Sequence, residues 1–157
     1  MAVDEATLQL NIITLTTLSK LFGQAMVAQG GGKILNIASI ATFIPGPMMA
    51  LYNASKAYVL SFSEALNTEL KDQGVSVTAS CPGPTTSEFM ALAASDKLEN
   101  LKYARFMEPS VVALEAYEAT MSGRQVIVHG TVNKAITLAP RIAPRAVVPK
   151  LVQFFMK

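Results

Sequence analysis

Residues 49–81 read MALYNASKAYVLSFSEALNTELKDQGVSVTASC. Leu51, Val59, Phe62, Leu66 and Leu70 recur at helical spacing and predict a helix from about Met49 to Gln73 with one apolar face. Gly74 is its stop. Residues 75–81 are rich in β-branched side chains and predict a strand. Upstream, residues 33–38 form a short apolar run that predicts another strand, and the loop 41–48 is broken by Pro45-Gly46-Pro47. A strand, a long helix and a strand in that order require a crossover, so the two strands lie parallel.

The pattern extends both ways. Asp4 is an N-cap candidate for a helix reaching about Ala28, with Leu8, Ile12, Leu15, Phe22 and Met26 as its stripe. Gly30-Gly31-Gly32 follows that helix and precedes a strand. A phosphate loop needs strand then helix, so this cluster reads as a helix stop and turn. Residues 86–94 predict a short helix, Pro109 opens a helix to about Met121, and 125–129 predict a third strand. Helical pieces punctuated by Pro140, Pro144 and Pro149 close the chain. The order α-β-α-β-α-β-α implies an α/β domain over residues 1–157. Its expected architecture is a partial Rossmann-like, doubly wound α/β/α arrangement of about three parallel strands, with both sheet faces covered.

Composition narrows the class. A hydrophobic fraction of 51% against 15% charged residues implies a packed globule, since a disordered chain has the opposite balance. A single cysteine excludes an internal disulfide framework and fits a reducing, cytoplasmic compartment. No apolar run reaches the ~18 residues of a membrane span, and the N-terminus lacks a signal-peptide layout. Net charge is +2 but uneven: −4 over residues 1–118 and +6 over 119–157. The basic helical tail, about 131–157, reads as a solvated or interface-facing segment. Its prolines argue against one long membrane-surface helix.

The chemistry sits at Ser39, Tyr52 and Lys56. Tyr52 and Lys56, at i and i+4, share one helix face. A free phenol titrates near ~10, and a nearby fixed positive charge favours its ionised form, so the pair suits proton transfer. Ser39 falls at a strand end, where its hydroxyl would hold a substrate oxygen. No histidine is spaced to make that serine a nucleophile. Asn11 lies mid-helix, a poor place for asparagine. Pro82-Gly83 ends a strand, where parallel sheets bind ligands. Cys81 reads as a small buried apolar residue. His129, the only histidine, reads as structural and cannot build a metal site alone.

At Asn11, Ile37-Ala38-Ser39, Tyr52-Asn53-Ala54-Ser55-Lys56 and Cys81-Pro82-Gly83-Pro84-Thr85-Thr86-Ser87, the sequence resembles the short-chain dehydrogenase/reductase family. The resemblance covers the whole chain but only the second half of the family domain. The family's opening strand, glycine-rich TGxxxGxG turn and helix have no counterpart in these residues.

The resemblance implies an NADP- or NAD-dependent oxidoreductase acting on a carbonyl or alcohol. Asn11, Ser39, Tyr52 and Lys56 would be catalytic. Tyr52 and Lys56 would also meet the nicotinamide ribose, and Pro82, Gly83, Thr85 and Ser87 the nicotinamide carboxamide. It implies a homo-oligomer built through the two long helices, with no nucleic acid as partner. In family strand order the first strand here would be an exposed edge. The competing expectation is a truncated, catalytically inactive fragment that acts as a structural or interaction module.

Overall fold

The computed structural model describes residues 2–86, 106–142, 144 and 146–155. The expected helix at 86–94 and the candidate Ser87 lie outside them, apart from Thr86. Helix α1 (Ala2–Leu8) runs through a widened turn of π geometry (Gln9–Thr14) into α2 (Leu15–Ala28). Strand β1 (Gly32–Ile37) and a tight turn (Ile40–Phe43) lead to α3 (Ala50–Leu70). Gly74, at φ 81, stops that helix after one tight turn, and β2 (Val75–Cys81) follows. Helix α4 (Pro109–Met121), β3 (Val126–Val128), α5 (Thr131–Ile142) and α6 (Val148–Phe155) complete the order.

The sheet is parallel in the order β1-β2-β3. Helices α2 and α3 cover one face. Ile34, Leu66, Val75 and Val77 form one core cluster there. Ala38, Val59, Leu60, Ala79 and Cys81 form a second, nearer the strands' carboxyl ends. The other face carries Ser80, which reaches through His129 to Glu115 of α4. Strand β2 is buried along almost its whole length, as a central parallel strand should be. Strand β1 is not: Leu35 and Ile37 on its outer side are 37% and 48% exposed. Among the described residues its second edge is unpaired, as the family strand order implies.

Three expectations need correction. The first helix begins at Ala2, so Asp4 sits in its first turn, not at its cap. The predicted stripe also fails at Leu8 and Phe22, which are 38% and 56% exposed. The π turn adds a residue to one coil and shifts the helical phase, so one 3.6-residue stripe cannot serve both sides of it. After the turn, the sheet-facing positions are Ser19 and Gly23. Ser19 is tied to Asn36, and a Cβ on Gly23 would lie 2.9 Å from Leu70 Cδ1. Close approach of α2 to β1 at Ser19 and to α3 at Gly23 uses small residues, which no hydrophobic stripe reveals. Third, Pro140 lies inside α5 and does not end it. No helix among the described residues is long and apolar enough to cross a membrane.

Candidate active site

The first turn of α3 meets the carboxyl ends of β1 and β2. A cleft of about 440 Å³ opens there, and Asn11, Ser39, Tyr52, Lys56, Pro82, Gly83 and Thr85 all line it. The structure thus brings together every described candidate of the sequence reading. Each is held in its own way.

Ser39 has extended backbone just beyond β1, and its Oγ accepts a hydrogen bond from the Ala41 amide at 3.1 Å. The hydroxyl's donor contact, to the Pro82 carbonyl, is 3.5 Å, at the outer limit of a hydrogen bond. Its hydrogen is therefore available to a nearer acceptor in the cleft. Lys56 Nζ donates to the Ile37 carbonyl at 2.9 Å and lies 5.9 Å from the centre of the Tyr52 ring. Burial pushes the Lys56 ammonium below the ordinary lysine value. The same burial places a weakly hydrated positive charge beside the phenol.

Asn11 sits in the π turn and joins the first helix to α3. Its Nδ2 donates to Ser55 Oγ at 3.0 Å, and Ser55 donates to the Tyr52 carbonyl at 2.8 Å. Asparagine, a poor interior helix former, is stationed where the helix is already distorted. Ser55 was missed as a contributor because its role depends on a partner 44 positions away.

Beyond β2, the Pro82-Gly83-Pro84 turn is tied to β1 by the Ile40 amide, which donates to the Pro82 carbonyl at 3.0 Å. Thr85 bridges to Met107, and Thr85 Oγ1 donates to the Gly83 carbonyl at 3.0 Å. Gly83 has a more specific cause than ligand approach. A Cβ there would lie 2.8 Å from Asn133 Cγ, so a side chain at this position requires the Asn133 carboxamide of α5 to shift. Sequence spacing carries no hint of that contact. Cys81 is fully buried beneath the site, and burial pushes its thiol up to about 12. It packs as a hydrophobe there. Among the described residues no cluster of three His, Cys, Asp or Glu side chains could hold a metal.

The donor set suits the nicotinamide–ribose end of a dinucleotide. It offers an ammonium and two hydroxyl groups on one wall and strand-end backbone on the other. The 157 residues offer no glycine-rich strand-to-helix turn for a pyrophosphate.

Known proteins resemble this chain in sequence and in fold. A 3-oxoacyl-(acyl-carrier-protein) reductase of Synechocystis sp. is 33% identical over 110 residues, covering 69% of this chain and 44% of the relative. An oxidoreductase of Thermotoga maritima is 38% identical over 84 residues, covering 54% of this chain and 34% of its own length. The chain thus spans less than half of these curated relatives. Among solved structures, a short-chain dehydrogenase from Sphingobium yanoikuyae in complex with NADPH superposes with a TM-score of 0.71 at 28% identity. That match covers 85% of this chain and 52% of the Sphingobium protein. The family model described as short chain dehydrogenase matches residues 2–98, from the first helix through the cleft to the segment beyond β2, and the chain belongs to that family of oxidoreductases.

Proposed function

We propose that this chain is the catalytic half of an enzyme that exchanges a hydride between NADP(H) or NAD(H) and a small carbonyl or alcohol substrate. The observation that carries the reading is the shared cleft: Ser39, Tyr52, Lys56 and Asn11 converge on it with the Pro82-Gly83 turn. When bound, the dinucleotide would supply the hydride. In reduction, Tyr52 gives its phenolic proton to the substrate oxygen. Ser39 Oγ donates a hydrogen bond to that same oxygen and stabilises the charge growing on it. Lys56 sets a positive charge beside Tyr52 and meets the ribose hydroxyls. Asn11 holds the water through which the phenol regains its proton. Thr85 and Ser87 position the carboxamide. The NADPH complex of the Sphingobium protein supports the phosphorylated cofactor. Exposed Leu18, Leu21 and Phe22 on α2 support a homo-oligomer through the long helices. A cytoplasmic setting belongs to the same proposal.

A second reading applies to these 157 residues on their own. Without a glycine-rich turn, and with β1 unpaired on one side among the described residues, they act as an inactive structural module. One experiment separates the two. The chain is joined to the nucleotide-binding half of the Thermotoga maritima relative and assayed for NADPH consumption with a panel of aldehydes and ketones. The chain alone is titrated in parallel. Turnover and saturable binding by the joined protein, with neither in the chain alone, is the expected result. A folded joined protein that neither binds NADPH nor NADH nor turns over contradicts the catalytic reading.

A further inference from the structure

Glu115, His129 and Ser80 stand in a line. His129 Nδ1 lies 2.7 Å from Glu115 Oε2, and Nε2 lies 2.8 Å from Ser80 Oγ. A carboxylate only accepts, so Nδ1 carries a ring hydrogen, and in the neutral ring Nε2 then accepts from the serine hydroxyl. This is the order of a nucleophilic triad. Ser80 and His129 are wholly buried, however, so no substrate reaches the hydroxyl. The line works as a strut joining α4, β2 and the end of β3.

The strut supports the cleft through Asn133. The His129 carbonyl accepts a hydrogen bond from Asn133 Nδ2 at 2.8 Å. The same carboxamide occupies the space a Gly83 side chain would need, with Cγ and Oδ1 at 2.8 and 2.9 Å from that Cβ position. Its Nδ2 also lies 4.0 Å from Met107 Sδ. Met107 in turn donates to the Pro84 carbonyl at 3.0 Å and accepts from the Thr86 amide at 3.1 Å. One side chain on α5 therefore faces Gly83 in the turn and also meets Met107, which is bonded to the residues that follow it.

We propose that Asn133 is a positioning residue for the nicotinamide end of the cleft. By filling the space that Gly83 leaves, while His129 holds it in place, it fixes the height of the Pro82-Gly83-Pro84 turn. The proposal rests on the function proposed above, and its test has one arm independent of that function.

The independent arm is amide hydrogen exchange in the 157-residue chain. The Thr86 amide, bonded to the Met107 carbonyl at 3.1 Å, and the Ile40 amide, bonded to the Pro82 carbonyl at 3.0 Å, report the turn, and the Val77 amide, bonded to Asn67 Oδ1 at 2.9 Å, reports the core. Asn133→Ala should speed exchange at the turn by about tenfold relative to Val77, and Gly83→Ala should do the same by displacing the carboxamide. In the double variant the new methyl fills the vacated space, so exchange should return to within about threefold of wild type. Additive effects, or equal acceleration at Val77, overturn the proposal.

The second arm uses the joined protein. Asn133→Ala should raise KM for the dinucleotide about tenfold while kcat stays within about twofold. A fall in kcat alone, or no change in either, also overturns it. Failure of the wild-type joined protein to bind any dinucleotide sinks the functional reading and the nicotinamide role with it. The exchange cycle would still show whether Asn133 and Gly83 are coupled.

Discussion

Lys56 is the residue at which burial and chemistry meet. Its pKa is lowered because burial removes water from the ammonium. The folded-state value thus lies below the unfolded one. Between the two, the unfolded chain binds more protons, so stability rises with pH across that window. The wild type should gain stability relative to Lys56→Met as pH climbs through the depressed folded-state value toward 10.5, the ordinary lysine value. Urea midpoints of the two proteins, measured in parallel at each pH, check this. A constant gap, or one that moves the other way, would show that the ammonium is not desolvated. Cys81, by contrast, is sealed in the core with its thiol pushed to about 12, and it offers no nucleophile at neutral pH.

Among the elements, the α3-to-β2 junction turns on one residue. Gly74 adopts φ 81, and a Cβ there would lie 3.0 Å from the Gly30 carbonyl oxygen. Gly74→Ala should cost about 1–2 kcal/mol in a denaturation curve, the size of a left-handed strain on a side chain. No loss would mean that the turn relaxes. This junction was legible because its signals are local: a regular stripe, a glycine and a β-branched run. Strand β2 and helix α4 were read with their observed bounds for the same reason. So was the cleft, because YxxxK with a serine thirteen residues upstream is a spacing pattern. What stayed illegible depends on long-range partners. The Ser19–Asn36–Ser63 network hides in a helix face that looks polar, and Phe22 looks inward-facing although it is exposed. Asn133 and Glu115 have no motif, and their meaning comes from packing against Gly83 and His129.

The whole molecule carries an apolar margin. Leu35 and Ile37 of β1, with Val111, Leu114, Tyr117 and Met121 of α4, are exposed, and β1 is unpaired on one edge among the described residues. An open strand edge beside apolar surface invites pairing. The 157-residue chain should self-associate at concentrations on the order of tens of micromolar. Sedimentation equilibrium that finds a stable monomer there would contradict this. The central claim concerns the cleft, and Tyr52→Phe in the joined protein tests it most directly. Single-turnover reduction of a carbonyl substrate at saturating dinucleotide should slow by about 10²–10⁴-fold, the usual worth of a general acid, while melting temperature holds. An unchanged single-turnover rate in that variant would remove Tyr52 from the chemistry and the proposed mechanism with it.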